Sequence, residues 1–181
     1  MSPESLHELF SYVCGQVNVW SPGGAALPMC QRCTGLYAGG VYAALVIAIF
    51  RPRPSSKIRW AHGIAMLLMA PFGYHLIPQS AVWRTLTGQL FACGLVYYLF
   101  LNPGDWWGLW RDGIRLPVYA ACMLAGMPLL LIGLEYGSPV TARWIGLVGA
   151  AGLALYALLI VTNFYVFVRF GAEHWRRTRA A

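Results

Sequence analysis

The sequence predicts an all-α membrane protein with five transmembrane helices, its amino terminus outside the cell and its carboxyl terminus in the cytoplasm. Three observations predict this fold: the composition, five long apolar segments and the distribution of basic residues. Of the 181 residues, 59% are hydrophobic and 10% are charged, whereas about a quarter of the residues of a soluble domain are charged. A fold in water needs polar residues to cover its surface, and lipid removes that need. The lipid bilayer is therefore the expected partner of most of the surface.

Five segments of the chain are long and apolar enough to be transmembrane helices. A helix rises about 1.5 Å per residue through a hydrocarbon core of about 30 Å, so a span needs roughly 20 apolar residues. The segments that lack Asp, Glu, Lys and Arg cover residues 33–50, 60–78, 85–101, 116–134 and 144–168. We expect residues 1–181 to form one membrane domain that contains these spans.

The basic residues indicate the orientation, because cytoplasmic loops of membrane proteins hold an excess of Lys and Arg. Across the alternating loops, one side carries ten basic residues and the other carries only Arg32, Arg84 and Arg143. The basic side includes the loop at 51–59 and the tail at 169–181, so this tail is expected in the cytoplasm of a bacterium, beneath its inner (plasma) membrane. The net charge of +7 is spread between apolar segments, so a nucleic-acid partner is not expected.

The tail at residues 1–32 is expected outside the membrane, with a short helix of its own. Its apolar side chains follow the i, i+3, i+4, i+7 spacing of one helical face: Leu6, Leu9, Phe10 and Val13. This pattern predicts an interfacial helix that lies on the outer membrane surface. Residues 21–24 (Ser-Pro-Gly-Gly) then predict a turn that brings Cys14 close to Cys30 and Cys33.

The strongest chemical motif is the string LPMCQRCTGLY at residues 27–37, where the first span begins. Cys30 and Cys33 are separated by two residues, which lets both sulfurs face one atom or each other. Arg32 and the partial positive charge of the helix start favour the thiolate of Cys33, the form that attacks disulfides or binds metals. This pattern predicts a catalytic set for thiol–disulfide chemistry, with Cys33 as nucleophile and Cys30 or Cys14 as resolving thiol.

Two other interpretations of the cysteines remain open at this level. Two of them can form a structural disulfide, because the outer compartment is oxidising. Alternatively, the thiolates of Cys14, Cys30 and Cys33 bind a metal together with His75, at the outer end of the second span. Such soft ligands suit zinc or copper(I).

The motif resembles a family of small predicted membrane proteins, the domain of unknown function 2085 family, with the pattern C-H-Q, then P-x-C-x-R-C-T-G-x-Y and R-x-x-T-G. At Gly15 the chain departs from the histidine of that pattern, so any metal role of that histidine is lost here. The family name carries no reaction, so the resemblance supports the site and leaves its chemistry open. The matching residues are Cys14, Gln16, Cys30, Arg32, Cys33, Thr34, Gly35, Tyr37, Arg84, Thr87 and Gly88.

The resemblance also suggests residues for substrate binding around the cysteines. We expect this role for Arg84, Thr87, Gln16, Thr34 and Tyr37. In a further interpretation the cysteines form a structural disulfide, and Arg32 and Arg84 bind the phosphate of an anionic lipid, because a guanidinium group matches phosphate oxygens. The protein would then be a transporter of such a lipid or would modify it, whereas the thiol interpretation requires a thiol–disulfide partner.

Overall fold

The computed structural model describes residues 3–73, 76–112 and 115–180, without the side chains of Pro3 and of residues 171–180. These residues contain no β-strand, and most of them are helical. A 3-10 turn at Pro22–Gly24 follows the first helix. The seven α-helices are α1 (Pro3–Ser11), α2 (Gln31–Phe50), α3 (Ser56–Leu67), α4 (Met69–Gly73), α5 (Ala81–Trp106), α6 (Leu116–Glu135) and α7 (Pro139–Ala180).

Three helices of the described chain are long and apolar enough to cross a membrane. They are Gln31–Phe50, Leu116–Glu135 and Pro139–Phe170, and they coincide with the first, fourth and fifth predicted spans. The third predicted span lies in α5, whose 26 residues measure about 39 Å at 1.5 Å per residue. The second, at 60–78, was predicted as one helix and is instead divided between α3 and α4, which ends at Gly73. The all-helical fold is confirmed, and the number of five spans stays a prediction.

Backbone contacts place the basic loops together at one end of the helix bundle. The N–H of Arg111 donates to the carbonyl of Arg51 at 2.7 Å, which joins the loop after α2 to the loop after α5. Arg53 and Asp112 reinforce this junction with a 2.9 Å ion pair, which is exposed and therefore worth little energy. Cys30 precedes the opposite end of α2. The basic loops and the cysteine motif thus lie at opposite ends of the bundle.

The helices α2 and α5 pack most extensively and approach each other closely at the end that carries the cysteines. A methyl group at Gly35 would overlap the carbonyl oxygen of Thr85, and one at Gly88 would overlap the carbonyl oxygen of Arg32. Small residues at helix interfaces in membranes permit this kind of backbone contact. The glycine pair therefore fixes the first turn of α2 against the first turns of α5.

The predicted helix of the outer tail forms as α1, but its apolar face contacts protein. Leu6 and Phe10 are buried, and the Phe10 ring lies 5.6 Å from the ring of Tyr37 in α2. Leu6 packs beside Gly146 of α7. Val13, the fourth residue of the predicted face, follows the helix and is exposed. Leu6 and Phe10 therefore hold the tail on the bundle, and the position of α1 at the membrane surface stays a prediction.

Gln89 is a buried polar residue of α5 whose Oε1 has no hydrogen-bond partner. An unsatisfied buried acceptor costs about 1–3 kcal/mol. We therefore expect Gln89→Met, which keeps the volume and removes the acceptor, to match or exceed the wild type in thermal unfolding in detergent. The matched control is Gln16→Met, which removes hydrogen bonds to the carbonyls of His7 and Pro28 and should lower the midpoint. A lower midpoint for Gln89→Met would contradict this assignment.

Candidate thiol site

Three cysteines form a cluster at the end of the bundle opposite the basic loops, and the sequence predicted their proximity. The Sγ atoms of Cys14, Cys30 and Cys33 all lie within 4.8 Å of one another. All three are free thiols, and Cys14 is buried whereas Cys30 and Cys33 are half-buried. Each sulfur can thus reach either of the others after small side-chain rotations.

Gln16 holds Cys14 in this position. The backbone of Gln16 is left-handed, with φ of +52°, and its side-chain amide donates to the carbonyls of His7 at 2.7 Å and Pro28 at 3.0 Å. The Sγ atom of Cys14 accepts from the backbone N–H groups of Cys30 at 3.2 Å and Gln16 at 3.4 Å. The end of α1 is therefore fastened to the segment that precedes α2.

The returning loop places Cys30 at the N-cap of α2. The N–H of Gln31 donates to the carbonyl of Asn18 at 3.0 Å, and Val19 and Cys30 form an isolated antiparallel bridge. The hydroxyl of Thr34 donates back to the carbonyl of Cys30 at 3.0 Å. Cys30 is thereby held where the free N–H groups of a helix start point outward.

This position favours the thiolate of Cys30. A hydrogen bond from the thiol of Cys33, together with the N–H dipoles of Cys33 and Arg32 and the thiol of Cys14, lowers the pKa of Cys30 to about 5 against the opposing effect of burial. The sequence had assigned the thiolate to Cys33 because the helix was expected to begin there. The helix begins at Gln31, so Cys30 caps it and Cys33 lies inside its first turn.

The low pKa of Cys30 predicts unusual reactivity in weak acid. At pH 6.5 an ordinary thiol is only about 1% thiolate, whereas a group with a pKa of about 5 is almost fully ionised. Because thiolates of low pKa are also weaker nucleophiles, we expect iodoacetamide to label Cys30 at pH 6.5 about two- to fourfold faster than free glutathione. The rate should fall as the pH drops through 5, measured by mass spectrometry of the Cys30 peptide. A rate that instead rises tenfold per pH unit up to pH 8 would contradict the assignment.

A cavity of about 290 Å³ opens beside the cluster, and both Cys30 and Cys33 line it. Arg32 and Arg84 lie on its wall. Arg32 donates through Nη2 to the carbonyl of Phe72 at 3.2 Å and to Oε1 of Gln79 at 2.8 Å. Arg84 donates to Oε1 of Gln31 at 3.3 Å. The cavity therefore combines two thiols with two guanidinium groups whose hydrogen-bond partners are neutral.

The other predicted substrate-binding residues serve the fold instead of this cavity. Gln16 and Thr34 hold the cysteine loop through the bonds described above. Thr87 is buried and donates to the carbonyl of Trp83 within α5 at 2.8 Å. Tyr37 is buried between the rings of Phe10 and Tyr156. His75, the proposed fourth metal ligand, lies outside the described residues.

A hydrogen-bond junction next to the site was not predicted from the sequence. The indole N–H of Trp20 donates to the hydroxyl of Thr85 at 2.8 Å, and that hydroxyl lies 3.1 Å from the carbonyl of Gln31. Thr85 is fully buried. The junction joins the tail before α2, the start of α2 and the start of α5. The one sequence signal for Thr85 was its position next to Arg84, a predicted site residue.

The cluster also provides three of the ligands that a metal site needs. Three sulfurs at this separation can converge on one soft ion, and thiolates suit copper(I) or zinc. Structural zinc sites are almost always four-coordinate, and no fourth Cys, His, Asp or Glu joins the cluster among residues 3–73, 76–112 and 115–180. The described donors therefore fit a three-coordinate soft ion better than a closed zinc site.

The fold and the site together define a helical membrane protein with a thiol cluster at one end. Residues 19–98 match the family described as "Predicted membrane protein (DUF2085)", which confirms the resemblance that the cysteine motif indicated and assigns this region to that family. The match covers Cys30, Cys33 and both cavity arginines, and Cys14 precedes it.

One curated protein is similar to much of the chain. The thiol:disulfide interchange protein DsbD of Pseudomonas fluorescens is 32% identical over 140 residues, which cover 71% of this chain. The aligned region spans only 21% of that protein's length. No solved structure matches the chain.

Proposed function

We propose that this protein carries out thiol–disulfide exchange at the cluster of Cys14, Cys30 and Cys33, on the outer face of a bacterial inner membrane. The observation that carries the proposal is the mutual approach of three free sulfurs to within 4.8 Å, two of them on the wall of a cavity. The similarity to a thiol:disulfide interchange protein supports it. The proposal includes a single membrane domain with five spans, the amino terminus outside and the basic carboxyl terminus inside.

The proposed reaction proceeds in two balanced steps. The thiolate of Cys30 attacks one sulfur of a substrate disulfide, forming a mixed disulfide while one substrate thiolate leaves. Cys33 or Cys14 then loses its proton and attacks the Cys30 sulfur, forming an internal disulfide and releasing the second substrate thiolate. Two electrons pass from protein to substrate. One substrate thiolate takes the proton of the resolving thiol, and the other takes a proton from water, because Cys30 begins as a thiolate. With a dithiol partner the same steps run in reverse.

The test counts free thiols before and after reaction with a simple disulfide. A Cys93→Ala/Cys122→Ala background removes the two cysteines outside the cluster and leaves three. Purified reduced protein in mild detergent is mixed with 2-hydroxyethyl disulfide, and the remaining thiols are alkylated with a mass tag. We expect the count to fall from three to one, with no adduct retained after resolution. Three thiols left free, or three separate adducts, would reject the exchange reaction.

Metal binding is the second candidate, because the same sulfur separations favour a soft ion. It requires all three thiols reduced, so copper(I) should then bind in about one equivalent and protect the cluster from the mass tag. Elemental analysis of the purified protein beside the thiol count separates the two candidates. An internal disulfide without metal supports exchange or a structural disulfide, which the thiol count after reduction separates, whereas free thiols with stoichiometric metal support a metalloprotein.

A further inference from the structure

The cavity beside the thiols is positively charged and has no acidic neighbour in the sequence around it. No Asp or Glu occurs between Glu8 and Asp105, so the segments that supply most of the cavity wall are free of carboxylates. The ion pair of Arg53 with Asp112 lies at the other end of the bundle. Among the described residues, the hydrogen-bond partners of the Arg32 and Arg84 side chains are neutral.

Both guanidinium groups are oriented without being neutralised. The amide oxygens of Gln79 and Gln31 position Arg32 and Arg84, respectively, and amides accept hydrogen bonds without adding charge. The Nε of Arg32 is buried and has no hydrogen-bond partner. A buried donor on a charged group is costly to leave unsatisfied. The cavity wall thus offers fixed donors and net positive charge to a ligand.

We propose that the site takes a small disulfide that carries carboxylate groups, with Arg32 and Arg84 binding the carboxylate while the disulfide meets Cys30. This inference rests on the proposed exchange reaction and names its substrate class. The volume of about 290 Å³ is at the lower end of ordinary small-molecule pockets, so it admits a small disulfide instead of a folded domain. Guanidinium groups bind carboxylates through short, charge-assisted hydrogen bonds.

The test compares three disulfides of similar size and different charge: 3,3′-dithiodipropionate (anionic), 2-hydroxyethyl disulfide (neutral) and cystamine (cationic). The rate of internal disulfide formation is measured on the Cys93→Ala/Cys122→Ala protein at pH 7 and low ionic strength. Because hydrogen bonds to charged groups contribute about 1.5–3 kcal/mol, we expect the anionic probe to react about tenfold faster than the neutral one and the cationic probe to be slowest. Added salt should reduce the difference.

Arg84 is the variant of choice, because its side chain makes one hydrogen bond to the described residues, a 3.3 Å contact with Gln31. Arg84→Gln should lower the anionic-to-neutral rate ratio from about tenfold to about threefold or less, and Arg84→Lys should restore part of it. The matched control is Arg143→Gln, which removes the same charge at the same end of the bundle from an exposed residue that lines a different cavity. This variant should keep the wild-type ratio.

Each outcome decides between the alternatives. Equal rates for the three probes, or an unchanged ratio in Arg84→Gln, would overturn the carboxylate assignment while leaving the exchange reaction intact. Absence of cysteine-dependent reaction with every probe would instead reject the exchange reaction itself. Competition by phosphatidylglycerol nanodiscs in the wild type, lost in Arg84→Gln, would overturn the small disulfide in favour of an anionic lipid headgroup.

Discussion

Cys30→Ser is expected to slow exchange at least about tenfold, measured as the rate of reaction with a disulfide probe, because the thiols that remain lack the low pKa of Cys30. The reason is that Cys30 caps α2 and holds the thiolate, so its loss removes the first attack. The rate is measured by the release of thiol from 2-hydroxyethyl disulfide at pH 7. Cys122→Ser is the control, because Cys122 lies in α6, away from the cluster, and it should react at the wild-type rate.

The complementary variants trap the intermediate. Cys33→Ser keeps Cys30 and removes one resolving thiol, but Cys14 lies within 4.8 Å and can replace it. The double variant Cys14→Ser/Cys33→Ser should therefore accumulate the mixed disulfide on Cys30, visible as a stable mass increase. If Cys30→Ser instead retained the mixed disulfide and Cys33→Ser lost it, Cys33 would be the nucleophile and our assignment would be wrong.

The second large effect is expected from Gly88→Val, at the crossing of α2 and α5. The added side chain would overlap the carbonyl of Arg32 and approach the backbone of Leu36, and neither backbone group can move without displacing the first turn of α2. We expect a loss of about 3 kcal/mol or more, the upper range for overpacking. The variant should aggregate, which size-exclusion chromatography detects, or should unfold in detergent at a markedly lower midpoint, which intrinsic fluorescence measures.

Gly15→Ala is the control for this substitution. Nothing lies within 4 Å of a methyl group added at Gly15, which is exposed and close to the cluster in sequence. This variant should therefore unfold within a few degrees of the wild type. Equal behaviour of the two variants would mean that the close contact between α2 and α5 does not support the site.

Most of the fold could be predicted because lipid imposes simple rules on composition and length. The absence of charge at 33–50, 116–134 and 144–168 predicted three helices that the structure contains, Gln31–Phe50, Leu116–Glu135 and Pro139–Phe170, each long and apolar enough to cross a membrane. The span at 60–78 is interrupted at Leu68, three residues before Pro71, whose ring removes a helical hydrogen bond. Hydrophobicity alone does not report whether consecutive turns continue one helix.

The sequence predicted which cysteines form the cluster, but it predicted less well which role each residue of the site has. The assignment of the nucleophile depended on whether α2 begins at residue 31 or at residue 33. Helix boundaries are uncertain by one or two residues. That shift moves the helix cap from Cys33 to Cys30. Gln16, Thr34 and Tyr37 were expected at the substrate because they lie near the cysteines in sequence. Their side chains instead bond or pack within the protein, through contacts that spacing along the chain cannot reveal.

The mutual proximity of the three sulfurs determines where an oxidised cluster can hold its disulfide. One disulfide can occupy any of three pairs among Cys14, Cys30 and Cys33, since each sulfur is within 4.8 Å of both others. Exchange with the third thiol shifts the bond from pair to pair without an outside reactant. When the bond includes Cys14, which does not line the cavity, one cavity thiol is again free. The cluster can thus keep its disulfide on Cys14, away from the cavity, while a cavity cysteine becomes a free thiol that can react again.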